Sequence, residues 1–215
     1  SQERMRVRGK PFQLTVKNVC DRVLSVLMLG LLALLLLGIA LAVILQSGWP
    51  AIFVQTRVGR DGRSFKVYKF RTMVHGASDK GLMTTVAEHD DRITRVGTFL
   101  RKWSLDELPQ LVNVLKGDMS LVGPRPTLEY QVSQYTARQR RRLEVKPGIT
   151  GWAQVNGRNA LPWARRIELD IWYVDNFTLC LDAKILLRTV GVFLRREGLY
   201  GQGGVNDDFG TKRNL

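Results

Sequence analysis

The run from Val23 to Leu45 contains no charged side chain. As a helix rising 1.5 Å per residue it would be about 35 Å long, more than a hydrocarbon core of about 30 Å. It is too uniformly apolar for a globular surface helix, is longer than a signal-peptide core, and no clear small-residue cleavage site follows it. It therefore predicts a membrane anchor, against which the rest of the chain has to be placed. Both flanks are basic: Arg4, Arg6, Arg8, Lys10, Lys17 and Arg22 precede the run, and Arg57, Arg60, Arg63, Lys66, Lys69 and Arg71 follow it. Basic flanks favour the cytoplasmic side. Two topologies stay open, an ordinary span oriented by one flank and a helix that dips in and returns to the same face. A dipping helix needs a break. The run has no proline, and Gly30 and Gly38 are its only soft points.

The 215 residues suffice for one ordinary domain plus an extra element. Lys and Arg number 33 against 19 acidic residues, a net charge of +14. That balance points to polyanions: nucleic acid, anionic lipid head groups or phosphorylated substrates. Cys20 and Cys180 lie far apart without a CxxC pattern, which argues against a disulfide framework or a zinc site and suits a reducing compartment. With His75 and His89 as the only imidazoles, His-based catalysis is poorly supplied.

After the apolar run, Ser47-Gly48-Trp49-Pro50 reads as a punctuated exit, with Trp49 suited to a lipid–water interface. Ile52 to Val54 and Phe65 to Phe70 read as strands around a Gly59-Arg60-Asp61-Gly62 turn, predicting a β-hairpin. His75 to Asp91 reads as a mobile polar loop, where Asp90-Asp91 is either a metal ligand pair or a solvated acidic stretch. Thr94 to Trp103 reads as a basic helix or turn. Tyr130 to Val145 reads as a helix carrying Arg138, Arg140, Arg141 and Arg142 on a solvated or lipid-facing side, and Glu168 to Val174 as a helix rich in interfacial aromatics. From Leu181 to Arg196, Leu186, Val190, Phe193 and Leu194 recur at helical spacing, with Lys184, Arg188 and Arg195 on another face. Such a helix either lies on a membrane surface or packs in a core. The parts are thus 1–50 (basic segment and membrane helix), 51–200 (the main domain) and a Gly- and Asn-rich tail over 201–215, expected to be disordered. The fold class predicted is α+β and mostly helical, with a small β-hairpin and amphipathic interfacial helices.

The stretch richest in chemistry is Ser104 to Leu111, where Asp106 and Glu107 stand side by side in a strongly basic chain. Ser104 and Glu107 have the spacing of a capping box before the apolar run Leu108, Leu111, Val112 and Leu115. That accounts for Ser104 and Glu107 but does not require Asp106. Pro109 fits a helix start best when it falls within the first turn. Asp106 then lies at a helix N-terminus, where free N–H groups favour an anion. A carboxylate pair in a positive field can hold a divalent metal, attack phosphorus or cap a helix.

Two further stretches bear on that choice. In Gly123-Pro124-Arg125-Pro126 the prolines fix the backbone around Arg125, and a fixed guanidinium is a good bidentate phosphate ligand. Pro147 to Asn159 packs glycines that allow close backbone approach with Gln154, Asn156 and Asn159, amides able to read a base or sugar edge. It matches neither a Walker nor a Rossmann loop. Together the parts suit phosphoryl chemistry at a lipid surface.

Lys69-Phe70-Arg71-Thr72-Met73, Ser104 to Leu111, Lys116 to Pro126 and Pro147 to Asn159 occur in an order and spacing that resembles the bacterial sugar transferases known as monotopic polyprenyl-phosphate phosphoglycosyl transferases. The resemblance runs from about Lys17 to Arg196. It implies an enzyme that moves a phosphosugar from a UDP-sugar to undecaprenyl phosphate and releases UMP, the first membrane step of a bacterial glycan. It implies that Asp106 is the nucleophile and a Mg²⁺ ligand, with Glu107 as its dyad partner. Arg125, Arg101, Lys69 and Arg71 would hold phosphates, and Gln154, Asn156 and Arg158 would lie near the nucleotide or sugar. It also implies a re-entrant helix and a catalytic domain on the cytoplasmic face of the inner membrane, with a nucleotide sugar, polyprenyl phosphate and membrane lipid as partners and no nucleic acid. Many members break the membrane helix at Ser-Pro, where this chain reads Leu32-Ala33-Leu34-Leu35. The rival reading is a membrane-tethered, non-catalytic binder of anionic lipid or nucleic acid.

Overall fold

The computed structural model describes residues 11–77, 86–87, 90–195 and 205–206. The apolar run does not form one straight helix. It is divided between α1 (Pro11–Leu31) and α2 (Ala33–Ser47), which meet at Leu32 with a bend of 65°. The bend falls at neither glycine. Backbone bonds continue through it, from Leu32 N–H to Met28 at 2.9 Å and from Leu36 N–H to Leu32 at 2.8 Å. Among the described residues no single helix is long and apolar enough to cross a membrane, whereas the bent pair is so in combination. The apex is bare, with Leu31 84% and Leu34 85% exposed.

Both legs are anchored to the same body. In α1, buried Asp21 accepts from the Ser120 hydroxyl at 2.7 Å and from Leu121 N–H at 3.3 Å. Lys17, one turn earlier, pairs with Asp182 at 2.5 Å, and Asp182 also accepts from the Tyr173 hydroxyl at 2.7 Å. In α2, Ile39 and Val43 pack with Ala51, Phe70 and Leu100. Arg71 donates to the carbonyls of Ser47 and Gly48 at the helix end.

The expected hairpin is present as antiparallel β1 (Ile52–Val58) and β2 (Ser64–Phe70), joined by a 3₁₀ turn over Arg60–Gly62. Its inner side and a second, parallel pair, β4 (Ser120–Val122) with β5 (Gly148–Thr150), flank the main core. A third two-stranded sheet pairs β3 (Val86–Ala87) with β6 (Val205–Asn206). The remaining helices are α3 (Arg95–Lys102), α4 (Gln110–Lys116), α5 (Glu129–Ser133), α6 (Trp152–Val155), α7 (Trp163–Asn176) and α8 (Leu179–Arg195). The main core joins Val67, Leu111, Val114, Leu121, Tyr173, Phe177 and Ile185.

Two expectations on this scaffold change. Tyr130 to Val145 is not one helix: α5 has five residues, and a 3₁₀ segment over Gln139–Glu144 follows. Its arginines are not all solvated, because Arg142 is buried against Asp170 at 2.6 Å and Arg141 pairs with Asp175. In α8 the core reading holds for one face, and another face is bare. Ile185 is fully buried and Phe193 half-buried, while Leu187, Val190 and Leu194 are exposed. The polar segment between His75 and Asp91 is described only in part, and 78–85 and 88–89 lie outside the described residues. Asp90 is engaged by Arg92 at 2.6 Å. The tail lies outside them too, apart from Val205–Asn206.

Candidate active site

Ser104 does not cap a helix. It adopts a left-handed backbone with φ 53° and makes no side-chain capping bond. The chain then makes one 3₁₀ turn, Leu105–Glu107, before Pro109 opens α4 in helical geometry (φ −61°). At that position the missing proline N–H costs no helical bond. The turn ends one helix and starts the next, so its two carboxylates project from a corner rather than along a helix face.

Glu107 does not fold back on Ser104 but reaches across the site. It accepts from Lys69 Nζ at 3.0 Å, and from Arg125 Nη2 at 2.5 Å and Nη1 at 3.2 Å. Burial alone would raise its pKa, but Arg125 and Lys69 outweigh that and hold it well below the usual carboxylate range. Asp106 moves the other way. Burial and the neighbouring Glu107 charge raise its pKa, against the pull of Lys69, Arg101 and Arg125. The adjacent carboxylates are thus set apart, one locked as a structural anion and the other poised. The Lys69 ammonium is pushed down by burial, in part offset by Glu107.

Each partner is placed by a separate device. Lys69 is positioned by Asn113, fully buried on α4, which donates to Lys66 C=O at 2.6 Å and accepts from Tyr68 N–H at 3.1 Å. The amide thus pins the helix to the strand next to Lys69. Arg125 projects from the end of β4. Its carbonyl accepts from Arg142 at 3.0 Å, and Arg142 is held by Asp170 and by the Tyr135 hydroxyl at 2.7 Å. Glycine makes the approach beneath it possible: a Cβ on Gly148 would lie 2.1 Å from Gly123 N. Arg101 comes from α3, capped by Thr94, whose hydroxyl accepts from Gly97 N–H at 2.9 Å. It donates to the Thr72 hydroxyl at 2.9 Å.

Two cavities flank the dyad. One, of about 120 Å³, is lined by Asp106, Lys69, Arg101, Arg71, Arg57 and Gln55, together with Phe53, Phe70, Thr72 and Met73. Asp106 is the carboxylate on this side. The other is lined by Glu107, Arg125, Gln154, Arg158, Thr189 and Phe193 among others. There Gln154 Oε1 and Arg158 Nη1 are buried without a hydrogen-bond partner, while Arg158 Nη2 donates to the Ser104 hydroxyl at 3.2 Å. Asn156 is exposed and donates to Trp152 C=O at 2.7 Å, within its own turn.

The structure therefore brings Asp106, Glu107, Lys69, Arg101, Arg125, Gln154 and Arg158 to one place. Arg71 lines the first cavity, though its Nη2 is given to the end of α2. Sequence reasoning left out Asn113, Arg142, Asp170, Arg57 and Gln55. A buried amide within the apolar pattern of α4 was the one visible trace of Asn113.

Among the described residues no three His, Cys, Asp or Glu side chains group as a self-sufficient metal site. Mg²⁺ asks for less, one or two carboxylates with substrate phosphates and water. Glu107 is spent on Lys69 and Arg125, which leaves Asp106 as the carboxylate suited to a phosphate-bound cation.

The sequence model of the bacterial sugar transferases matches residues 11–196, and the chain belongs to that family. A Bacillus subtilis protein described as "Uncharacterized sugar transferase EpsL" is 48% identical over 184 residues, covering 86% of this chain and 90% of its own. The "Undecaprenyl-phosphate galactose phosphotransferase" of Salmonella typhimurium is 43% identical over 199 residues, covering 86% of this chain and 42% of its own. The "UDP-glucose:undecaprenyl-phosphate glucose-1-phosphate transferase" of Escherichia coli is 46% identical over 185 residues, covering 81% and 39%. The chain thus spans about two-fifths of the length of the last two proteins.

Proposed function

We propose that this chain is a phosphoglycosyl transferase that moves a sugar phosphate from a UDP-sugar to undecaprenyl phosphate, working at the cytoplasmic face of the bacterial inner membrane. The observation that carries the reading is the split dyad, in which Glu107 is fixed between Lys69 and Arg125 while Asp106 faces a cation-lined cavity. The activities named for the Salmonella and Escherichia coli relatives support the substrate class. Asp106 Oδ attacks the β-phosphorus, forming an O–P bond as the bond from that phosphorus to the bridging oxygen breaks, and UMP leaves with the electron pair. An anionic oxygen of polyprenyl phosphate then attacks the same phosphorus. The Asp106–phosphorus bond breaks, which restores the carboxylate and gives a polyprenyl-diphosphate-linked sugar. Lys69, Arg101 and Arg125 oppose the charge that builds on the transferring group. Mg²⁺, when bound through Asp106 and substrate oxygens, would supply further charge neutralisation. The bent helix pair would sit in the membrane as a re-entrant element, with the exposed side of α8 against the lipid surface.

Incubating the protein with Mg²⁺ and a panel of UDP-sugars, without lipid, tests this through UMP release and intact protein mass. The expected result is UMP together with a sugar-phosphate mass increment, both absent in Asp106→Asn, and the productive donor names the sugar. UMP release without any adduct would reject the covalent route. No release from any donor by folded protein, with lipid supplied, would reject the reaction and favour a tethered binder.

A further inference from the structure

We propose that Arg57, seated by Gln55 on β1, binds the phosphate of the lipid acceptor, so that the cavity beside Asp106 is the acceptor's approach while the cavity beside Glu107 serves the nucleotide sugar. The proposal rests on the reaction proposed above and divides its site between the two substrates.

The hairpin register sets Phe53 opposite Lys69 and Arg57 opposite Phe65. Alternate residues Phe53, Gln55 and Arg57 therefore share the face that carries Lys69. Gln55 Oε1 accepts from Arg57 Nε at 3.1 Å and Nη2 at 2.6 Å. This fixes a long side chain that would otherwise lose rotamer freedom on binding. The cavity lining then holds Arg57, Lys69, Arg71 and Arg101 against the single carboxylate of Asp106. Lys69 is shared with Glu107 and Arg71 with the end of α2, yet the four cations still outnumber the two carboxylates, which favours a phosphate monoester dianion.

Position chooses between the two phosphate sources. Arg71 in this lining also holds the carbonyls of Ser47 and Gly48, where α2 ends. Trp49, the next residue, is 77% exposed. The cavity therefore lies beside the end of α2. Phe53, Phe70 and Met73 give it an apolar wall. A phosphate carried on an isoprenoid chain can reach Asp106 along such a wall without leaving the lipid surface. The opposite cavity has the complementary chemistry. It offers the unpartnered acceptor Gln154 Oε1, the unpartnered donor Arg158 Nη1 and the paired Thr150 and Thr189 hydroxyls. Those groups suit the polar edge of a base or sugar, and the Arg125 and Arg158 guanidinia in the same lining suit the diphosphate that joins them.

The test separates the half-reactions. Arg57→Gln and Arg57→Lys proteins are charged with UDP-sugar without lipid, and adduct formation is timed by intact mass. Short-chain polyprenyl phosphate is then added and discharge of the adduct is followed. In Arg57→Gln, discharge should slow about tenfold or more, the effect of one lost charge-assisted hydrogen bond. Adduct formation should change far less, and Arg57→Lys should regain part of the loss. Equal slowing of both steps, or of neither, overturns the assignment. A second measurement stands apart from the covalent route. In an Asp106→Asn background, Arg57→Gln should weaken binding of a fluorescent short-chain polyprenyl phosphate about tenfold and leave UMP binding unchanged. The reverse pattern, or no change for either ligand, overturns the acceptor assignment even if wild-type protein forms no adduct. Absence of an adduct in wild-type protein would instead remove the covalent mechanism itself.

Discussion

Asp106 and Glu107 are chemically alike and adjacent, yet their partners shift their pKa values in opposite directions. The sign of each pKa shift makes this testable. Asp106 is raised by burial and by Glu107, so its reactive anion is lost earlier as pH falls. The rate of adduct formation should therefore drop on acidification with a midpoint above the ordinary aspartate value near 4. Replacing Glu107 by Gln removes the like charge and releases Lys69 and Arg125 towards Asp106. That midpoint should then move to lower pH while the maximal rate falls about tenfold or more. Single-turnover pH profiles of the two proteins check both. An unmoved midpoint would mean that Glu107 does not set the Asp106 charge state. Linkage adds a stability effect of the depressed Glu107. Its contribution is present above its ordinary value of 4.5 and is lost as pH falls through its lower native value. At this scale the sequence made legible which charged residues gather, as for Asp106, Glu107, Lys69, Arg125 and Arg158. It was silent on Asn113 and showed Arg57 only as part of a basic flank, because their contacts come from the hairpin register and from helix packing.

The elements that aim Arg125 depend on one buried ion pair. Arg142 holds the Arg125 carbonyl and is itself matched by Asp170, and both side chains are 3% exposed. Burial, against Arg142, pushes the Asp170 pKa up to about 6. Asp170→Asn would leave the guanidinium buried without a counter-charge, which costs about 3–5 kcal/mol. Denaturation should show that loss, and activity should fall at temperatures where the variant is still folded, because the Pro124–Pro126 turn loses its brace. Full activity there would separate the pair from the site. A Gly148→Ala change acts on the same turn from below, since its Cβ would meet backbone of Gly123. It should lower the melting temperature as well as the rate. The β-hairpin was readable because alternation and turn residues are local signals. The segment from Tyr130 to Val145 was not. Four arginines look like a solvated face until Asp170, 28 residues from Arg142, turns one of them inward.

For the whole molecule, the bend at Leu32 has no local cause in proline or glycine. It follows from where the two legs are fastened. Lys17 and Asp21 hold α1 to α8 and β4, and Ile39 and Val43 hold α2 to Phe70 and Leu100. A straight helix cannot satisfy both sets of contacts, so the apolar length is divided into two legs that meet at 65° around a bare apex. The doubled basic flanks hinted at this, but only tertiary anchoring locates the break. The arrangement predicts a topology. Thr15 on α1 and Thr56 on β1 are both exposed and lie on legs tied to the same body. With Cys20 and Cys180 replaced by serine, single cysteines at these two positions should react with an impermeant maleimide from the same membrane face. A cysteine at Leu34, at the apex, should be shielded from both faces. Labelling of positions 15 and 56 from opposite faces would mean that the chain crosses the bilayer and that one anchored leg of the pair comes away from the domain in the membrane. Labelling of position 34 from the face opposite the domain would mean that the apex emerges in water there, as an apolar apex in lipid should not. Removing both fastenings of the first leg, in a Lys17→Ala and Asp21→Ala double variant, should raise the reactivity of position 15 and leave that of position 56 unchanged, because α2 keeps its own separate anchor to Phe70 and Leu100.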